Sequence, residues 1–306
     1  MPKNTAWIKG KPSPYQYRQT QHFPDWHNLI VWDAFFNNLA AGTMLVTAIV
    51  WLFGSRIFAN LLPVALTAAF MLVIVDLFIL ISDLGDPKRF INSLRVMRFT
   101  SPLSVGVWGL VSFSIFAFIA AVLSWIGAGC ANTASLCYYY LYVLIRVATV
   151  LAALGAVVVI CYKGVVFSCS SQPGVKNGRW LTPFMVSDSL LMGLSVYILL
   201  ALFFSRGPAS AFLTIPYIIL LCARCVTFAL LWVDVKPRAR LVHGVENKFV
   251  GWTLYIVGGV LAFILAFCGP IGLLLAAAIA LGCGVMERYW IIGLTHPVPL
   301  KPERDE

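Results

Sequence analysis

Residues 61–82 read LLPVALTAAFMLVIVDLFILIS, an apolar run whose one ionisable side chain is Asp76. A helix rises about 1.5 Å per residue, so a run of this length crosses the roughly 30 Å apolar core of a bilayer. A surface helix of a soluble protein would show a polar stripe, and this stretch has none. The same kind of segment recurs on both sides of it. Candidate spans fall at roughly 28–53, 61–82, 105–127, 138–162, 181–205, 211–235, 249–268 and 270–292. The last two are joined by little more than Gly269-Pro270, as in a helical hairpin. The expected fold is an all-α integral membrane protein with eight transmembrane helices.

Composition agrees: 60% of the 306 residues are hydrophobic and 11% charged, and mean hydropathy is +0.88. Such a chain is not a water-soluble domain. The net charge of +10 would suggest nucleic acid in a soluble protein, but here its distribution matters more. With eight spans, both termini share one side. Nearly all the lysines and arginines fall there, Lys88, Arg89, Arg95, Arg98, Lys163 and Arg288 among them, while the opposite side holds only Arg56 and Arg206. The positive-inside rule places that basic side in the cytoplasm. A basic face can equally serve to dock an acidic partner. No nucleic-acid partner is expected.

Residues 1–27 are polar and carry Pro2, Pro12, Pro14 and Pro24, which suits an extended surface arm and not a signal peptide. The four histidines, His22, His27, His243 and His296, lie outside the spans. Haem held inside a bilayer takes histidines on the spans, so neither haem nor a metal is expected on this chain. Cys222 and Cys225 form a lone CxxC within a span, without the further thiolates that an iron–sulfur cluster needs. Cys130 and Cys137 share a loop and read either as a disulfide or as two free thiols.

Charged groups within spans are costly and rarely face lipid. Asp33, Asp76, Asp188 and Glu287 lie within roughly two turns of the terminal-side face, and Tyr162 closes the fourth span there. Arg224 falls near the midplane, and Arg146 lies about a third of the way in from the other face. Two readings compete. In one, a polar pocket near the termini binds a quinone headgroup: Tyr162 donates to a carbonyl, a carboxylate exchanges the proton, and Asp76, Asp188, Arg146, Arg224 and Glu287 continue a proton path. In the other, Asp–Arg pairs simply lock neighbouring helices. His27, just before the first span, either faces that pocket or is solvated.

The ends of the second and sixth spans resemble one another. Asp83-Leu-Gly-Asp-Pro-Lys-Arg89 and Asp234-Val-Lys-Pro-Arg-Ala-Arg240 each give an acid, a proline and then arginines. This fits two related four-helix bundles in parallel orientation.

Three stretches carry a family resemblance: Asp76-Leu-Phe-Ile-Leu80, Asp83-Leu-Gly-Asp-Pro-Lys-Arg-Phe90 and Thr100-Ser-Pro-Leu-Ser-Val-Gly-Val-Trp-Gly-Leu110. Together they look like the signature of the NrfD family, the membrane subunits of polysulfide reductase and related molybdopterin oxidoreductases. Leu39-Ala-Ala-Gly42 is similar to its small-residue motif, and Tyr162-Lys-Gly164 to its tyrosine–x–glycine segment.

The resemblance implies two four-helix bundles without haem. The expected organisation is a surface arm at 1–27, a first bundle with the quinone site at 28–162, a second bundle at 163–292 and a tail at 293–306. It also implies exchange with menaquinone or ubiquinone, with Tyr162, Asp33 and His27 at the site. A ferredoxin-like iron–sulfur subunit would dock near Lys88, Arg89, Arg95 and Arg98, with a molybdopterin catalytic subunit beyond it. The setting would be a bacterial or archaeal cytoplasmic membrane.

Two positions depart from the family pattern. Asp33 stands where some members carry histidine or tyrosine, and Lys163 where a small or polar residue is more usual. In the best-known members the partner-bearing side faces outward, opposite to the charge count here. A different class, a secondary transporter or proton-conducting unit without quinone, stays open, and broken helices would favour it.

Overall fold

The computed structural model describes residues 28–54, 60–83, 90–91, 94–130, 136–170, 174–176, 178–204, 209–242 and 246–294. His27, Lys88 and Arg89 lie outside them, as do the expected arm and most of the expected tail. Among the described residues the chain is helical, without strands. In order the helices are α1 (Asn28–Phe53), α2 (Leu62–Asp83), α3 (Pro102–Gly129), α4 (Leu136–Cys169), α5 (Leu181–Phe204) and α6 (Ala209–Val242). Then come α7 (Glu246–Tyr255), a π-helical stretch (Ile256–Leu261), α8 (Ala262–Ala266) and α9 (Gly269–Gly293).

Seven of these helices are long and apolar enough to cross a membrane. The eighth expected span corresponds to α7, the π-helix and α8 run together, with a shorter apolar part, Val250–Ala266. Two adjacent glycines, Gly258 and Gly259, sit inside the π-helical stretch, where weak helix formers allow the wider turn. Gly269 takes φ +80 and opens the tight connection into α9, with Pro270 in the first turn, where its missing N–H costs nothing. At the start of α3, Ser101 caps the helix by accepting from the Ser104 backbone N–H, and Pro102 follows. The Thr100-Ser-Pro segment is thus a helix start written in the sequence.

The outward faces are apolar. Phe78, Phe118, Trp125, Leu154, Ile219 and Ile264 are each more than half exposed, as the lipid-facing side of a membrane helix requires. The interior is built from small residues. Ala40, Ala41, Ala69, Ala117, Ala120, Ala152 and Ala156 fill one core drawn from α1 to α4, and Ala262, Ala266, Ala276, Ala277 and Ala280 help fill another from α5, α6, α8 and α9. Lipid tails are as apolar as leucine, so helices in a bilayer gain by approaching closely, and small side chains permit it. The tightest approach joins α1 to α5. A Cβ on Gly42 would collide with the Ser189 carbonyl oxygen, and one on Gly193 with the Gly42 backbone.

Two basic residues read as loop charges are corrected here. Lys163 belongs to α4 and Arg288 to α9, and both are buried. The fourth span also runs past Tyr162 to Cys169. Lysine and arginine usually mark a membrane exit, but a charge paired inside the bundle escapes that rule.

Candidate functional site

α1 presents Asp33 and Asn37 one turn apart on a single face. Asp33 forms an ion pair with Lys163 of α4. Asn37 donates its amide to Asp76 Oδ2 of α2 at 3.0 Å. Asp76 is 0% exposed, and both Asp33 and Lys163 lie close enough to act on its charge. Asp33 Oδ1, Asp76 Oδ1 and Asn37 Oδ1 are buried without a protein hydrogen-bond partner. Buried polar atoms are nearly always satisfied, so these unpaired oxygens mark a place where a proton, water or ligand group belongs.

Tyr162 joins this cluster. It precedes Lys163 on α4, its ring centroid lies 5.9 Å from the Lys163 ammonium, and it feels both Asp33 and Asp76. The ring is seated by α3, where any Cβ at Gly106 would overlap it. Gly106 belongs to the Thr100–Leu110 motif, so one function of that motif is to make room for Tyr162. Gly164 does the same for α4 against α5, where a Cβ would press on Thr182.

A second charged cluster is built from α5, α6 and α9. Arg224 donates through Nε to Asp188 Oδ1 at 3.1 Å and to the Gly258 carbonyl in the π-helix at 2.9 Å. It also pairs with Glu287. Arg288 reaches Asp188 Oδ2 at 2.6 Å and Glu287 Oε2 at 3.8 Å, with its guanidinium 6.0 Å from the Phe184 ring centroid. Two acids thus face two arginines, and all four are buried. The first cluster sets two acids against one lysine.

The structure therefore brings Asp33, Asp76 and Tyr162 together, and separately Asp188, Arg224 and Glu287. Arg146 joins neither: it is exposed on α4 and lies 5.0 Å over the Tyr142 ring. Arg95 and Arg98 are exposed ahead of α3, where the Arg98 backbone N–H donates to Ser104 Oγ at 3.0 Å. Sequence reading missed Asn37, Asn38, Ser189 and the roles of Lys163 and Arg288. Asn38 donates to Met185 Sδ at 3.2 Å across the α1–α5 contact. A pair of asparagines in the middle of an apolar run was the available signal. Cys130 and Cys137 are free thiols, the first half-buried and the second exposed.

Known proteins share parts of this chain. Over 103 residues it is 27% identical to a membrane-complex component named for the selenate reductase of Mesobacillus selenatarsenatis. That match covers 34% of this chain and 24% of the relative, so the shared stretch spans about a quarter of the relative's length. The family model described as polysulphide reductase, NrfD matches residues 18–295. With that match spanning nearly the whole sequence and the expected motifs in place around Tyr162, this multi-pass membrane protein belongs to the NrfD family.

Proposed function

We propose that this chain is the quinone-reactive membrane subunit of an iron–sulfur/molybdopterin oxidoreductase, exchanging electrons between menaquinone or ubiquinone and an attached cluster-bearing subunit. The observation that supports it is the first cluster. It sets a hydroxyl, an ammonium and two carboxylates with unpaired oxygens beside one another inside the bundle. A quinone headgroup offers two carbonyl oxygens to donors, and its reduction and oxidation move two electrons with two protons. Tyr162 and Lys163 supply the donors. Asp33 and Asp76 are the groups placed to take or return protons.

The clusters' different charge balance favours proton exchange at Asp33 and Asp76, with Asp188, Arg224 and Glu287 holding helices together. On this reading the chain crosses the membrane eight times in two four-helix bundles, an arrangement supported by the two separate alanine-rich cores. Arg95 and Arg98 form part of a docking face for an acidic, ferredoxin-like subunit, and the membrane is a bacterial or archaeal cytoplasmic membrane. The helices α1 to α6 run unbroken, which argues against a transporter built on half-helices.

The test is Tyr162→Phe in the assembled complex. Quinol turnover should fall while the subunits still copurify, and unchanged turnover would remove Tyr162 from the site.

A further inference from the structure

The two buried clusters differ in one countable respect. Asp188, Glu287, Arg224 and Arg288 give two negative and two positive groups. Asp33, Asp76 and Lys163 give two negative groups and one positive. No neighbouring element supplies a compensating charge. α3 has no charged residue at all, and α1 has none besides Asp33. The other charged residue of α2 is a further acid, Asp83, at the helix end. On α4, Arg146 faces outward over Tyr142. On α5, Asp188 is engaged by Arg224 and Arg288. Asn37 and Tyr162 are neutral.

An uncompensated negative charge at this depth costs several kcal/mol or more, and a buried acid escapes that cost by taking up a proton. The geometry shows where the proton would sit. Asp33 lies beside Asp76, one oxygen of each carboxylate is already engaged by Lys163 or Asn37, and the other oxygen of each has no protein partner. Two adjacent carboxylates can share a single proton, because like charges in contact do not both ionise freely.

We infer that Asp33 and Asp76 form a binding site for one exchangeable proton, its occupancy set by the single charge of Lys163, and that the Asp188–Glu287 cluster stores none. This deepens the quinone reading, in which the stored proton is one of the two that quinol releases. The count itself needs no quinone.

The experiment is infrared difference spectroscopy on the intact complex in lipid nanodiscs, freed of quinone and held near neutral pH. The readout is the protonated-carboxyl stretch, counted per chain against the parent. The parent should hold one such proton in this cluster. Asp33→Asn and Asp76→Asn should each abolish it, because the remaining acid is then balanced by Lys163. Lys163→Met should raise the count to two. The double variant Asp33→Asn with Lys163→Met should restore it to one, which keeps the series readable if the single lysine variant fails to assemble. Glu287→Gln should leave the count unchanged.

A band that survives both single aspartate substitutions, or that vanishes in Glu287→Gln, would overturn the inference. If the counts hold but Tyr162→Phe turns over quinol normally, the proton site stands and the quinone reading falls.

Discussion

Lys163 of α4 and Asp33 of α1, which stand 130 positions apart, form a buried ion pair. Each departs from the NrfD pattern when read alone. Together they explain one another, since a buried acid and a buried lysine at neighbouring positions are each tolerable only with the other present. The pair also bears directly on Asp76, the most enclosed acid of the first four helices.

That pairing makes a stability prediction. Lys163→Met should destabilise the protein by about 3–5 kcal/mol, the usual cost of leaving one buried charge unpaired. Adding Asp33→Asn should recover most of the loss. Thermal unfolding in detergent, arranged as a double-mutant cycle, reads the coupling directly. Additive effects would show that the two residues do not share an energy term.

Arg224 should tolerate no replacement. It serves Asp188, Glu287 and the Gly258 carbonyl at once, and lysine lacks the planar fork needed to reach three acceptors. Arg224→Lys should therefore lower yield and melting temperature nearly as far as Arg224→Ala. A lysine variant as stable as the parent would mean that only the charge matters.

The α1–α5 crossing depends on absent side chains. Gly42→Leu should part the two helices and prevent assembly, since overpacking costs about 1–3 kcal/mol even where neighbours can move, and here the obstacle is the Ser189 backbone. Size-exclusion profiles and expression level are the readout, and a normally assembled Gly42→Leu protein would contradict the packing.

Removing the proton acceptor should slow turnover without dissolving the complex. Asp76→Asn keeps the Asn37 contact possible and should reduce quinol oxidation by about 10²-fold or more, the range for loss of a general acid or base. Its rate should also lose pH dependence relative to the parent. A parental pH–rate profile would assign Asp76 to packing alone.

On the surface, Arg95→Glu with Arg98→Glu should weaken copurification of the iron–sulfur subunit and sharpen its loss at raised salt, because exposed charge contacts are screened within about 8–10 Å. The membrane chain itself should fold normally. Retention of the partner at all salt concentrations would place the docking face elsewhere.

Much of the architecture was legible in the sequence because the bilayer imposes a length and a polarity on every segment that crosses it. The spans beginning at Asn28, Leu62 and Leu181 were readable to within a residue or so, as was the Gly269-Pro270 turn. Hydropathy could not place Lys163 and Arg288, because an average over a window records a charge but not its partner. It also gave no sign of the π-helix, which departs from α geometry while staying equally apolar. Sequence alone determined that Asp33, Asp76, Tyr162, Asp188, Arg224 and Glu287 lie within apolar surroundings. Only the tertiary structure decided which of them meet, and hence that one cluster is balanced and the other short of a positive charge. The physical reason is that burial is a property of each segment, whereas charge compensation depends on which helix faces which.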